Sequence, residues 1–358
     1  MATNYTDFIH PSDKKALASL KAVPGFDLVV KKYMSLVGEK MYKITITSSF
    51  LKLGPDQLPE IYEILLKVCK RLDIAVPELY LELNREPNAY TYGDTDVFIV
   101  LHSGLLETMT MEQIEAVIAH ECGHIACHHV LYRAMGNLIL TGADIFVNGL
   151  ISKAIVTSLQ FAFAYWMRCS ELSADRATAY YYASAEPVID LMMAFSGGTS
   201  NLNLKLNREE FLRQAEDYKA MIDNSTYNKV LEFIQYGLKD HPLNAYRAYE
   251  INEFYKQNEE ELTREYILRV TYEYIKAKGL KGLGRIFDNK PLEIEIGGEQ
   301  YKIDKNKTQE IVLRYGNYEM EIKMGSKTIT HSIALQKDKT VVVYWNSNDE
   351  ELSVKEDE

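Results

Sequence analysis

The sequence has few cysteines, and no pair of them stands at the spacing of a metal-binding or redox motif. Its 358 residues include four cysteines, Cys69, Cys122, Cys127 and Cys169. Because none of them forms a C-x-x-C pair, neither a cysteine zinc site nor a thioredoxin-like motif is indicated. We expect four small buried side chains in a protein of a reducing compartment.

Positive charge is also scarce and scattered. The chain has 40 Lys and Arg residues against 51 Asp and Glu residues, a formal net charge of -11. A nucleic-acid groove needs clustered basic residues, so no nucleic-acid partner is expected. The first residues show no basic segment followed by an apolar one. We therefore expect no signal peptide and a cytoplasmic protein.

No uninterrupted apolar run is long enough to span a membrane. Residues 138–167 are strongly apolar, but Asp144, Asn148 and Lys153 interrupt them. The charge-free stretch 154–167 is shorter than the ~20 residues that a bilayer requires. We predict two core helices packed as a hairpin. A flap that touches a membrane surface without spanning it is the alternative.

Apolar periodicity predicts an α+β protein with a mainly helical first domain, residues 1–285. A helical repeat covers residues 56–72, and helical patterns recur between residues 208 and 277. Alternating stretches predict short strands and a small antiparallel sheet. These stretches are residues 44–46, 78–83, 88–93 and 96–101.

The pattern changes after the glycine-rich segment 279–284. Alternating apolar residues separated by glycine turns predict a small all-β domain over residues 290–350. No role is assigned to this domain. Residues 351–358 are rich in acidic side chains and are predicted to form a mobile tail.

The most informative pattern is His120-Glu121-Cys122-Gly123-His124, an H-E-x-x-H motif. Residues four apart share one face of a helix, so both histidines can point at one metal ion. Thr110 and Gln113 fit a capping box that would start this helix, and Gly136 would end it. The alternative is an ordinary buried helix, in which unpaired His and Glu side chains would be costly.

A catalytic zinc ion takes three protein ligands and keeps one position for water. A third histidine six residues after His124 is excluded, because that position is Val130. A glutamate on a separate helix is the other common solution, and Glu171 fits it. Glu121, beside the first ligand, is the expected general base, which takes a proton from the water and passes it to the leaving amine.

Asp175 follows Glu171 by four residues and would share its face of the helix. It is placed to accept a hydrogen bond from His120 or His124, with His120 the preferred partner. The alternative is that both acidic residues form ion pairs on a solvated face, with Arg168 or Arg176.

Two further histidines follow the motif. His128 lies four residues after His124 and could reach the metal, but a fourth protein ligand would occupy the position of the water. His128 and His129 are therefore predicted to be supporting or surface residues.

Taken in order, these motifs resemble the HtpX-like and CAAX-prenyl-endopeptidase family of gluzincins, family 48 of the metallopeptidases. The resemblance covers roughly residues 51–255 and includes Asn88-Ala89-Tyr90, Gly104-Leu105-Leu106, the H-E-x-x-H motif, Glu171 to Asp175, His241-Pro242 and Arg247. It implies a zincin-like domain with one zinc ion per chain, bound by His120, His124 and Glu171.

The resemblance also implies how substrate is held. Asn88, Ala89 and Tyr90 would lie on an edge strand that pairs with an extended peptide. His241 and Arg247 would stabilise the oxyanion. Membrane-embedded members of the family carry transmembrane helices before the motif, and this chain has none there.

We therefore expect a zinc metalloendopeptidase that acts on peptides or unfolded proteins. Two alternatives stay open: a binding or scaffold protein that keeps the zinc fold but turns over weakly, and a peripheral membrane protease acting in protein quality control. The sequence assigns neither the cleavage preference nor the oligomeric state.

Overall fold

The computed structural model describes residues 8–36, 39–93, 96–142, 152–197, 206–228, 243–275, 290–314, 316–346 and 351–357. The chain forms two compact units, Tyr5–Glu259 and Glu260–Glu358. The first is mainly helical with one small sheet, and the second consists of strands. The predicted α+β fold class, with a strand-rich C-terminal part, is confirmed.

The sheet of the first unit has four short strands. They are β1 (Leu51–Leu53), β2 (Glu78–Glu82), β3 (Ala89–Tyr92) and β4 (Phe98–His102). Their order is β1-β2-β4-β3, so β3 lies at an edge, and all of β4 is buried. The pairs are antiparallel except β2 with β4, which is parallel, whereas the sequence predicted an antiparallel sheet. The chain runs out to the edge as β3 before it returns as β4, and this detour makes β2 and β4 parallel.

Eleven helices are found among the described residues. They are α1 (Pro11–Lys21), α2 (Phe26–Leu36), α3 (Glu39–Ser49), α4 (Pro59–Leu72), α5 (Ser103–Thr108), α6 (Met111–Ala126), α7 (Val130–Thr141), α8 (Lys153–Tyr182), α9 (Glu186–Phe195), α10 (Arg208–Asp223) and α11 (Asn244–Thr263). The four cysteines are buried free thiols, as predicted.

Helix α6, which contains the H-E-x-x-H motif, packs closely against helix α8. α6 begins with the predicted capping box, in which Thr110 and Gln113 exchange side-chain and backbone hydrogen bonds. Gly123 allows the close approach, since a Cβ at this position would lie 3.0 Å from the Cα and carbonyl oxygen of Ala174. The absence of one side chain therefore sets the distance between the two helices that carry the motif and Glu171.

The apolar segment 138–167 contributes to two helices that pack together. α7 lies against α8, with Ile139, Phe163 and Met167 in one buried cluster. Residues 143–151 lie outside the described residues. The predicted end of the motif helix at Gly136 is wrong: α6 ends at Ala126, and Gly136 lies inside α7, where its missing side chain makes room for Met167.

Two further secondary-structure predictions are wrong. Residues 44–46 belong to helix α3, where Ile46 packs on Tyr80, Phe98 and Val100 of the sheet. This tertiary packing outweighs the strand preference of an Ile-Thr-Ile sequence. The helical pattern predicted up to residue 277 stops at Thr263, and the next stretch is a strand.

The second unit packs two four-stranded sheets around one apolar core. One sheet has the order β10-β9-β6-β7 and the other β12-β11-β5-β8. The strands are β5 (Glu265–Ile275), β6 (Leu292–Ile296), β7 (Glu299–Ile303), β8 (Thr308–Arg314), β9 (Gly316–Met324), β10 (Lys327–Leu335), β11 (Lys339–Asn346) and β12 (Glu351–Asp357).

The first and last residues of this strand unit differ from the predicted bounds, 290 and 350. Leu268, Val270 and Tyr272 of β5 are fully buried at every second position, so the strand unit begins before residue 290, where the sequence placed it. The prediction of a mobile tail at residues 351–358 is also wrong, because β12 pairs along its length with β11. Backbone pairing and the burial of Leu352 hold this acidic segment in the sheet.

Candidate active site

Three side chains capable of binding a metal converge where α6 meets α8. His120 and His124 lie one turn apart on α6, and Glu171 faces them from α8. Glu171 Oε2 lies 3.1 Å from His120 Nε2, and Glu171 Oε1 lies 3.3 Å from His124 Nε2. All three side chains are buried, and one donor atom from each lies within 4.8 Å of the others.

This donor set fits a catalytic zinc ion. Bonds of about 2.0–2.1 Å at tetrahedral angles place neighbouring donor atoms about 3.4 Å apart, close to the separations found here. His124 Nε2 is buried and makes no hydrogen bond to the described residues, and Glu171 Oε1 lies 3.3 Å from it. A metal ion would give this nitrogen the partner that a buried polar atom needs.

Asp175 orients the first imidazole, and Arg247 holds Asp175. His120 Nδ1 lies 3.1 Å from Asp175 Oδ1. Asp175 therefore contacts His120, the histidine that the sequence favoured over His124. Arg247 donates from Nε and Nη2 to the two oxygens of Asp175, at 2.8 and 2.6 Å. Burial alone would raise the pKa of Asp175, but the Arg247 guanidinium outweighs it and lowers the pKa. Asp175 therefore stays an acceptor.

The two imidazoles differ in how readily they take a proton. Burial would lower the pKa of His120, but its hydrogen bonds to Asp175 and Glu171 outweigh burial and raise the pKa to about 9. Burial and the nearby Arg133 charge lower the pKa of His124 well below its usual value. A metal ion must therefore displace a proton from His120, whereas His124 offers a free electron pair.

Arg133 is a site residue that the sequence did not identify. Its Nη1 lies 2.6 Å from Glu171 Oε1 and 3.1 Å from Ser170 Oγ. Arg247 Nη1 lies 3.3 Å from the other oxygen of Glu171. Glu171 and Asp175 are thus buried against these two arginines and do not face solvent with Arg168 or Arg176. Arg133 lies on α7 outside every motif, so only the fold could reveal it.

Glu121 is held next to the three potential ligands by the edge strand. Thr91 Oγ1 on β3 donates to Glu121 Oε2 at 2.6 Å, and both side chains are buried. Because side chains alternate along a strand, Thr91 points toward α6, whereas Tyr90 points to the other face of the sheet and bonds to Glu82. The carboxylate of Glu121 is therefore fixed by a residue that no motif contains.

A cleft of about 220 Å³ opens beside this group. Its wall includes Asn88, Ala89, His120 and Glu121, and also Arg247. A second part of the wall is apolar and is formed by Val117, Leu191 and Phe195. Ala89 is the first residue of the edge strand β3, so the cleft reaches the start of a strand edge with which no described strand pairs. Asn88 and Ala89 thus lie beside the site, whereas the Tyr90 side chain points away.

The remaining histidine predictions have different outcomes. His128 is exposed and does not join the metal-binding group, whereas His129 is buried with its Nδ1 3.0 Å from His124 Nδ1. His241 and Pro242 lie outside the described residues. The predicted role of His241 therefore stays a prediction.

The geometry is that of a metal-dependent hydrolase, and sequence comparison assigns it to a family. The profile described as peptidase family M48 matches residues 55–254, more than half of the chain. The chain belongs to peptidase family M48. It is therefore a metallopeptidase, and the resemblance to HtpX-like enzymes is confirmed.

Several M48 relatives show how far the similarity extends. The Plastoglobule-localized metallopeptidase 48, chloroplastic, of Arabidopsis thaliana is 30% identical over 250 residues, which cover 69% of this chain and 72% of the relative. The Protease HtpX of Psychrobacter sp. (strain PRwf-1) is 41% identical over 66 residues, 18% of this chain and 22% of the relative. The Protease HtpX homolog of Sulfurovum sp. (strain NBC37-1) is 38% identical over 73 residues, 20% and 26% of the two chains.

This chain thus spans about a quarter of the length of these two HtpX proteins. Among the described residues, no helix combines the length and the apolar character needed to cross a membrane.

Proposed function

We propose that this M48 metallopeptidase is a zinc-dependent endopeptidase in which His120, His124 and Glu171 bind zinc and Glu121 is the general base. The observation that carries the proposal is the convergence of two imidazoles and one carboxylate, from two helices, on a point beside a buried glutamate and an open cleft. The buried Nε2 of His124, which makes no hydrogen bond to the described residues, also supports it.

Zinc, when bound, supplies the Lewis acidity that lets water act as a nucleophile near neutral pH. Glu121 takes a proton from the attacking water and gives it to the leaving amine nitrogen. The hydrogen bond from Thr91 holds Oε2 of Glu121 and limits the carboxylate to one orientation. The other lone pairs of the carboxylate remain available to receive the proton.

The edge strand β3 would hold an extended substrate. The carbonyl oxygen of Asn88 accepts from the amide of His102 on β4, so residues 88, 90 and 92 face β4. The alternation of an antiparallel ladder then directs the N–H and C=O groups of Ala89 and Thr91 to the open edge. A peptide pairing there would lie across Glu121, so we propose extended peptides and unfolded proteins as substrates.

We propose that Arg247 acts by positioning Asp175, His120 and Glu171. Two of its nitrogens bond to Asp175, and the third lies 3.3 Å from Glu171. A guanidinium held by two carboxylates keeps Asp175 charged and in place, and Asp175 in turn orients His120. Stabilisation of the oxyanion by Arg247 and His241 stays a prediction of the family resemblance.

The test is a digest of a denatured proteome, with cut sites mapped by mass spectrometry. We expect cuts that disappear with a chelator and return with zinc, and that Glu121→Gln loses at least about 100-fold in rate while it still binds zinc. Glu112→Gln, on the exposed first turn of the same helix, is the matched control. Parental rates in Glu121→Gln would disprove the mechanism. A blank digest with zinc bound would favour the scaffold alternative.

We propose peripheral association with neutral lipid surfaces as a second property. One relative is plastoglobule-localized by name. Helix α8 exposes the aromatic rings of Phe161 and Tyr165, one turn apart, in the apolar segment. Aromatic side chains anchor proteins at lipid interfaces, and the net charge of -11 disfavours anionic lipids.

Flotation with phosphatidylcholine vesicles checks this property. We expect the parent to float and the double variant Phe161→Ser and Tyr165→Ser to stay at the bottom. Tyr227→Ser, at an exposed aromatic residue elsewhere, should float like the parent. If the parent protein does not float, the proposed association with neutral lipid surfaces is disproved.

A further inference from the structure

We propose that His129 and Asp13 position the ligand His124, so that the N-terminal helix α1 completes the metal centre. The inference rests on the proposed zinc site and extends it to a residue outside the segment 55–254 that the family profile matches. Asp13 and His129 would be positioning residues, because neither is placed to touch the metal or the substrate.

A continuous chain of contacts connects α1 to the ligand. His124 Nδ1 lies 3.0 Å from His129 Nδ1, and His129 Nε2 lies 2.9 Å from Asp13 Oδ2. All three side chains are buried. The three groups thus form a line from a carboxylate, through one imidazole, to the imidazole that faces the metal site.

Proton placement along this line has one solution that suits metal binding. His124 can bind a metal through Nε2 only if that nitrogen is unprotonated, so the ring proton is on Nδ1. Nδ1 of His124 then donates to Nδ1 of His129, which must carry its own proton on Nε2. That N–H donates to Asp13, which as a carboxylate can only accept. The line therefore selects the tautomer of His124 that leaves Nε2 free for the metal.

Asp13, the carboxylate at the end of this series of contacts, is itself held in place by hydrogen bonds. Trp166 Nε1 donates to its Oδ1 at 2.9 Å, and Ser173 Oγ donates to its Oδ2 at 2.6 Å. The backbone N–H of His10 donates in turn to Ser173 Oγ at 3.0 Å. Asp13 lies in the first turn of α1, where the helix dipole favours a negative charge. Helix α8 thus supplies both Glu171 and two donors that hold Asp13.

The turn after α6 is shaped to bring His129 back to His124. His128 has φ of 57°, the left-handed conformation that ends many helices. The backbone N–H of His129 then donates to the carbonyl oxygen of His124 at 3.0 Å. This reversal places the His129 ring against the face of His124 that points away from Glu171.

The two ligand imidazoles are therefore supported in parallel ways. Asp175 contacts Nδ1 of His120 directly, and Asp13 reaches Nδ1 of His124 through His129. Loss of such supporting groups typically lowers metal affinity by about 10–100-fold. A merely structural network would change folding without changing zinc affinity.

The test is zinc affinity, measured on full-length protein by competition with a chromophoric chelator. We expect His129→Phe and Asp13→Asn each to weaken zinc binding by about 10–100-fold, and His129→Gln to recover much of it, since its amide can accept from His124 and donate to Asp13. His128→Asn, which tolerates the left-handed turn, should bind zinc like the parent. Circular dichroism of each metal-free variant checks that it is folded.

The outcomes separate this inference from the proposed function. A parent that binds no zinc would overturn both. Parental zinc affinity in folded His129→Phe and Asp13→Asn would overturn the inference alone. If His129→Phe does not fold, Asp13→Asn decides, because it changes one atom and keeps the volume of the side chain. Glu121→Gln should be inactive but retain full zinc affinity. This variant shows that activity can be lost without a loss of zinc binding.

Discussion

Arg247 and Asp175 form a buried bidentate ion pair, with 2.8 Å between Nε and Oδ2 and 2.6 Å between Nη2 and Oδ1. Arg247 is 5% exposed and Asp175 is 1% exposed. Their planar groups match in geometry, and the pair lies directly behind His120. Because neither charge can reach water, removal of one partner leaves the other uncompensated.

We predict that Arg247→Met lowers the free energy of unfolding by about 3–5 kcal/mol, the usual result of breaking a buried ion pair. Urea unfolding of the metal-free protein measures it, with fluorescence of Trp166 as the probe in a Trp345→Phe background. Lys256→Ala, which breaks an exposed pair with Glu253 on the same helix, is the control and should cost less than about 1 kcal/mol. A loss below that value in Arg247→Met would show that the pair is not important for stability.

Thr91→Val should lower kcat without changing zinc affinity. The substitution keeps the shape of the side chain and removes the hydrogen bond to Glu121. A hydrogen bond to a charged group contributes about 1.5–3 kcal/mol, which corresponds to roughly 10–100-fold in rate. Thr91→Ser keeps the hydroxyl and is expected to retain most of the parental kcat. Equal kcat values for Thr91→Val and the parent would mean that Glu121 needs no such support.

Gly123→Ala should push α6 and α8 apart. The added methyl would lie 3.0 Å from the Cα and carbonyl oxygen of Ala174, and backbone cannot yield as a flexible side chain can. Overpacking of this kind costs about 1–3 kcal/mol, and it also separates His124 from Glu171. We therefore expect both a lower melting temperature and weaker zinc binding.

Gly54→Ala is the matched control for this substitution, because no atom lies within 4 Å of the added methyl. Its stability should stay within about 0.5 kcal/mol of the parent. Unchanged zinc affinity in Gly123→Ala would show that the spacing of the two helices tolerates the extra group.

Ala89→Pro should raise KM more than it lowers kcat. The N–H of Ala89 faces away from β4, where a substrate would pair, and it donates to Asn88 Oδ1 at 2.9 Å in the free protein. Proline therefore removes one substrate contact and this local bond, but no bond to β4. We expect an increase in KM of roughly 10-fold, the equivalent of one lost hydrogen bond. Tyr90→Pro removes a bond to β4 instead and should mainly lower stability. An unchanged KM in Ala89→Pro would mean that substrate does not pair with this edge.

The metal-binding group could be predicted because its members are related by the local geometry of a helix. His120 and His124 share a face of α6, and Glu171 and Asp175 share a face of α8, for the same reason. The capping box at Thr110 also depends only on residues near it in sequence. The H-E-x-x-H motif then limits the choice of a third ligand, although the convergence of the two helices required the structure.

Local sequence was misleading where tertiary contacts decide the conformation. Residues 44–46 have strand preference, yet Ile46 packs on the sheet from a helix. Gly136 has the character of a helix end, yet it lies inside α7, where the absence of a side chain leaves room for Met167. The acidic residues 351–357 resemble a tail, yet pairing with β11 makes them a strand.

The sequence by itself determined the family, the fold class and the residue types of the candidate site, since these depend on motifs and helical spacing. Only the tertiary structure decided which side chains support that site. Arg133, Thr91 and Asp13 come from three separate elements, α7, β3 and α1, and none belongs to a motif. Their roles arise from hydrogen bonds between residues far apart in sequence, and such contacts follow from how helices and strands pack and not from local periodicity.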